Sequence, residues 1–84
     1  MPNIIHNTTD HTFHVEHEPD SAHLDYEFID DEHINFTHTY VPFRQRGKGV
    51  AESLVQAGLK WATDSQLIIS TSCWYVEKYM AEHS

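Results

Sequence analysis

Arg44, Arg46 and Lys48 supply three of the chain's five Lys and Arg residues within five consecutive positions. Gly47 and Gly49, two of its three glycines, are threaded between them. Positive charge on freely turning backbone suits a bulky anion, because glycine lets the chain pass close to it without a Cβ in the way. If a helix begins at the end of this stretch, its unpaired N–H groups and its dipole add to the same potential. A phosphate or pyrophosphate is the most economical ligand; a plain helix entry whose glycines only turn the chain is the alternative. Two familiar phosphate motifs are absent. GxxxxGK[ST] has no match, and GxGxxG fails because Glu52 stands where the third glycine belongs.

Cys73 is the second candidate for chemistry. It falls where a short apolar strand gives way to a final helix, and a helix N-terminus raises the thiolate fraction of a cysteine. It would then either take an acyl group covalently or serve as a small buried hydrophobe. Being the only cysteine, it leaves no route to an intramolecular disulfide or a Cys-based zinc site. His38 has a reference pKa suited to proton traffic, and strict alternation places it on one strand face with Tyr40. His38 is either a base or a packed histidine. Tyr40 is a poor base at neutral pH but a reasonable acid, and Tyr79 either protonates a leaving group or packs. His11, His14 and His17 are spaced by three, which alternates their faces along a strand, so no metal site is expected.

The elements that must position these groups are legible from periodicity. TFHVEHE (12–18) alternates, with Phe13 and Val15 on one face; EPDS (18–21) reads as a turn around Pro19 and Asp20. AHLDYEFID (22–30) alternates again, DDEH makes the next turn, and INFTHTYV (34–41) sets Ile34, Phe36, His38 and Tyr40 on one face. Short connections between such stretches predict an antiparallel meander. Beyond Pro42 the period becomes helical: Val50, Ala51, Leu54, Val55, Gly58, Leu59, Trp61 and Ala62 share one side of a helix. Gly58 lies mid-stripe, where a missing side chain lets a helix approach a sheet. QLIIS (66–70) reads as a buried strand that can lie parallel to 34–41 across the helix. WYVEKYMAE (74–82) closes the chain as a short helix. The expected fold is α+β, in the order ββββ-α-β-α: a mixed, mostly antiparallel sheet with one main helix and a short C-terminal one.

Charge narrows the function. Nine acids and no Lys or Arg lie in residues 1–43, whereas residues 44–84 hold all five bases and four acids. With a net charge of −8, a broad basic face for nucleic acid is not expected. The 84 residues predict one domain over 1–84, with 39% hydrophobic content enough for a single core. Without an apolar run of membrane length or a signal-peptide pattern, the expectation is a cytoplasmic protein that does not enter membranes.

The hexapeptide Arg46-Gly47-Lys48-Gly49-Val50-Ala51 fits [Q/R]-x-x-G-x-[G/A]. Following a strand and opening an amphipathic helix, it resembles the acetyl-coenzyme A (acetyl-CoA) loop of the GCN5-related N-acetyltransferases. The resemblance extends over THTYVPFRQRGKGVAESLVQAGLKWA and TSCWYV, and is similar to a small branch of that superfamily with a cysteine after the strand that follows the helix. It implies a sheet splayed between the 34–41 and 66–70 strands, with acetyl-CoA as cosubstrate and no metal. It places the pyrophosphate on the amides of Arg46 to Ala51 beside Arg44, and the pantetheine against the backbone leading to Val41. It further implies transfer of acetyl to a small amine or lysine-type acceptor, with Cys73, His38 and Tyr40 as the candidate catalytic residues. Many members of the superfamily keep a glutamate base near the strand that corresponds to THTYV, often acting through water, whereas this chain has Tyr40 where a carboxylate would be convenient. A coenzyme A-binding module without turnover, or a generic anion-binding domain, is the alternative function. A monomer or weak dimer is expected.

Overall fold

The first half of the chain forms four strands, three of them marked by alternation, and the second half forms two helices around a fifth strand. In the computed structural model the described residues are 3–16, 18–43, 47 and 49–82, with residues 18–21 described by their backbone alone. The elements are β1 (Ile4–Asn7), β2 (Thr12–Val15), β3 (Glu18–Asp30), β4 (His33–Tyr40), α1 (Val50–Asp64), β5 (Ile68–Thr71) and α2 (Trp74–Glu82). They form one five-stranded sheet in the order β1-β2-β3-β4-β5. Pairing is antiparallel throughout except between β4 and β5, which run parallel. The α+β architecture expected from the sequence is therefore the one present.

Three details differ from the sequence reading. The strand missing from the periodicity pattern is β1, whose Ile4 and Ile5 sit opposite Val15 and His14. EPDS is not a turn but the start of β3. The β2–β3 register slips between His14 and Val15, so the extra residues, Pro19 among them, are absorbed as an irregularity of the ladder. The third difference is in β4. Tyr26 pairs with Phe36 but its neighbour Asp25 pairs with His38, so Thr37 is an inserted residue. Beyond this bulge the faces exchange. His38 and Tyr40 stand with Asp25 and His23 on the face opposite Ile34 and Phe36, while Thr39 lies opposite buried Leu24. Strict alternation fails here because a bulge shifts the period by one residue.

α1 covers the inner face. Val50, Leu54, Val55, Gly58 and Ala62 are its buried stripe, packed with Phe13, Leu24, Ile34 and Phe36 from the sheet. A Cβ on Gly58 would lie 2.8 Å from Leu24 Cδ2 and 3.0 Å from Phe36 Cε1. Glycine at this position thus sets how closely helix and sheet approach. α1 ends in a Schellman arrangement: the Leu67 N–H donates to the Ala62 carbonyl at 2.9 Å and the Gln66 N–H to Thr63 at 3.0 Å. α2 seats Val76 in the core, fully buried. No described helix is long and apolar enough to cross a membrane.

Candidate functional site

The parallel ladder stops at Phe36 and Thr71, yet β4 continues to Tyr40 while β5 gives way to α2. That divergence opens a cleft of about 800 Å³, near the upper end of the range of roughly 300–1,000 Å³ typical of small-ligand sites. Thr37, His38, Thr39 and Val41 line one wall. Gly47, Gly49, Val50, Ala51 and Glu52 line a second, and Ser72, Cys73, Trp74 and Tyr75 form the third.

The second wall is the N-terminus of α1. Gly49 is the N-cap at φ 77°, in the left-handed region, and Gly47 has φ 82°. A Cβ built on either glycine meets no atom within 4 Å. The backbone at both glycines therefore borders open space, and both glycines line the cleft beside the first turn of the helix. Of the loop residues expected to bind coenzyme, Gly47, Gly49, Val50 and Ala51 are brought to the cleft with Val41; Arg44, Arg46 and Lys48 lie outside the described residues.

The third wall holds the thiol. The Glu77 N–H donates to the Cys73 carbonyl at 3.1 Å, which makes Cys73 the N-cap of α2. Thr71 fixes its backbone: the Thr71 hydroxyl accepts the Cys73 N–H at 3.0 Å and donates to the Phe36 carbonyl at 2.9 Å. Cys73 is 9% exposed, and its thiol donates to Thr39 Oγ1 at 3.5 Å. Burial pushes its pKa up, but the Thr39 hydroxyl and the amides of Val76, Tyr75 and Thr39 outweigh this, so Cys73 titrates below an ordinary thiol. Beside it, the Tyr75 phenol is raised, first by burial and then by Glu52, Tyr79 and Glu82.

His38 borders the cleft, whereas Tyr40 does not. The Tyr40 ring lies 5.5 Å from the His23 ring, and His23 lies 6.0 Å from His38 (centroid to centroid). On the same outer face Asp25 accepts the Thr12 hydroxyl at 2.7 Å, with His23 Nδ1 at 3.1 Å. The bulge at Thr37 thus takes Tyr40 away from Cys73 and brings Thr39 to it. The sequence reading missed Thr39, Glu52 and Tyr75. Glu52 and Tyr75 carried a usable signal, being next to Ala51 and two residues past Cys73, but Thr39 becomes visible only with the register. Among the described residues no group of three His, Cys, Asp or Glu side chains is placed to hold a metal ion.

A sheet splayed at one parallel pair, with a glycine-opened helix N-terminus on one side of the gap, defines an α+β domain with a cleft at the splay. A family model described as GCN5-related N-acetyl-transferase matches residues 11–84, and the chain belongs to that family. Protein NATD1 of Gallus gallus is 36% identical over 64 residues, covering 76% of this chain and 58% of that protein. Protein NATD1 of Danio rerio is 31% identical over the same length. The chain thus spans less than two thirds of the length of these relatives. The NMR solution structure of a GCN5-like protein from Staphylococcus aureus superposes with a TM-score of 0.75 at 25% identity, covering 96% of this chain and 79% of that one. GNAT folds of this kind generally take acetyl-CoA, and the open glycine cradle and the cleft volume fit it.

Proposed function

We propose that this chain is an acetyltransferase that moves the acetyl group of acetyl-CoA to a primary amine through Cys73. The observation that carries the proposal is that the chain's one thiol lines the same cleft as the open glycine cradle, with its pKa lowered by donors aimed at its sulfur. The amides of Gly47 and Gly49 to Ala51 hold the pyrophosphate, with Arg44, Arg46 and Lys48 adding charge. The end of β4 from His38, with Val41 just beyond it, receives the pantetheine arm.

The Cys73 thiolate attacks the acetyl carbonyl carbon, an S–C bond forms, and the bond from that carbon to the coenzyme sulfur breaks. One thioester replaces another, so nothing is oxidised or reduced, and a proton ends on the coenzyme thiolate. Tyr75, which lines the cleft beside Cys73 and is protonated at neutral pH, gives that proton and recovers one from the medium. A neutral amine then attacks the carbonyl carbon of the acetyl-cysteine; a C–N bond forms, the bond from that carbon to Sγ breaks to return the Cys73 thiolate, and His38 at the cleft edge takes the amine's proton. Glu52 and the acidic first half of the chain favour an acceptor that arrives as a cation, such as a small polyamine or a lysine side chain.

Intact-protein mass spectrometry after incubation with acetyl-CoA, without acceptor, tests this reading. One acetyl adduct, absent from Cys73→Ser, is expected together with stoichiometric release of coenzyme thiol. Saturable coenzyme binding without an adduct would replace the relay by direct transfer or by a binding module without turnover.

A further inference from the structure

A buried thiol needs donors to become a thiolate, and most of those around Cys73 are backbone amides that no side-chain substitution removes. The amides of Tyr75 and Val76 belong to the first turn of α2, where any N-cap residue finds them. Thr39 is different in origin. It comes from a strand distant in sequence, and it faces the sulfur only because Thr37 is inserted into β4. Without that bulge the alternation from Phe36 would turn Thr39 to the outer face and His38 inward.

We propose that Thr39 is the positioning residue of the Cys73 nucleophile: its hydroxyl, 3.5 Å from Sγ, holds the thiol on the cleft side and turns to donate to the thiolate once the proton has left for solvent. The β4 bulge is then a functional device as well as an irregularity of register. In the thiol form S–H donates to Oγ1; in the thiolate form the hydroxyl rotates and O–H donates to sulfur, which a hydroxyl allows and a methyl does not. Thr71, on the other side of Cys73, has its hydroxyl committed to the Phe36 carbonyl and the Cys73 N–H, so it fixes the backbone and does not replace Thr39. The proposal deepens the acyl-cysteine reading, but it concerns the thiol alone and can be tested without any coenzyme.

Cys73 is the only cysteine, so the rate of alkylation by iodoacetamide as a function of pH reports its thiolate fraction directly. In Thr39→Val and Thr39→Ala the midpoint of that profile is expected to rise by about one pH unit, a roughly tenfold loss of thiolate at a fixed pH below it. Thr39→Ser restores a hydroxyl and is expected to return the midpoint to the wild-type value. A midpoint unchanged in whichever of the two hydroxyl-less variants keeps the native circular dichroism, or left raised in Thr39→Ser, would overturn the assignment. A shifted midpoint with no acetyl adduct on the wild-type protein would leave Thr39 in its role and remove the acyl-cysteine; an adduct with an unshifted midpoint would do the reverse.

Discussion

His6 Nε2 lies 2.7 Å from the hydroxyl of Tyr26, and the imidazole is stacked on Phe13 with ring centroids 4.1 Å apart. Trp61 of α1 closes the cluster edge-on at 4.5 Å, so the first strand is tied to the main helix through one histidine. Burial lowers the His6 pKa below its ordinary 6.5, and nearby His11 lowers it further. In the unfolded chain His6 takes up a proton at the ordinary value, whereas the folded protein resists it until a lower pH. The unfolded state therefore binds more protons as pH falls below 6.5, and stability declines until the lowered folded value is passed. Urea unfolding from pH 7.5 to pH 5 should show this slope. In His6→Gln, which keeps an amide for Tyr26 but cannot titrate, the slope should flatten by the His6 share. Equal slopes in the two proteins would place the pH dependence outside His6.

The stop of α1 offers a stabilising change. Gln66 sits at φ 61°, the left-handed position of the Schellman motif that glycine usually fills, and its side chain is exposed. A left-handed residue with a Cβ costs roughly 1–2 kcal/mol, and glycine returns part of that as unfolded-state entropy. Gln66→Gly should stabilise the domain by about 0.5–1 kcal/mol, a rise of several degrees in Tm for a chain of this size.

Gly58 predicts the opposite outcome for a substitution that helix propensity favours. Alanine gains about 1 kcal/mol in a helix interior. Its Cβ, however, would meet Leu24 Cδ2 at 2.8 Å and the Phe36 ring at 3.0 Å, and both of those residues are fully buried. Overpacking of a filled core costs about 1–3 kcal/mol, so Gly58→Ala should lower the unfolding free energy measured in urea by a net of about 1 kcal/mol. A more stable Gly58→Ala would mean that the sheet yields to the helix.

The sequence carried most of this architecture because most of it is periodic. The apolar side of α1, the alternation of β2 and the parallel strand after the helix follow from spacing alone, and Gly58 was marked by its place in an apolar stripe. The site was half legible. Gly47 and Gly49 marked the open backbone at the start of α1 through residue type, and Cys73 announced itself through its place before a helix. The partners of Cys73 were not legible, because a one-residue bulge at Thr37 leaves no compositional trace yet exchanges the faces of Thr39 and Tyr40. β1 escaped because its four residues are too few for alternation to register, and EPDS misled because turn-forming residues also suit an irregular strand.

The loop itself is tested at Gly49. Its φ of 77° and the empty space beside its Cα separate two effects that usually travel together. A side chain there strains the backbone by roughly 1–2 kcal/mol, more for a β-branched residue, but it collides with no protein atom within 4 Å. Gly49→Val should therefore lower Tm modestly in the free protein and still fold. Its larger effect should appear with ligand, since the isopropyl group occupies the space where a phosphate would meet the first amides of α1. Calorimetric titration should give a Kd for acetyl-CoA at least about tenfold weaker, near 1.4 kcal/mol. The rise in Tm that saturating acetyl-CoA gives the wild-type protein should shrink in proportion. Gly49→Ala, with the smaller group, should fall between. Wild-type affinity in Gly49→Val would show that the pyrophosphate does not lie against this helix, and the cleft would have to be entered from its other end.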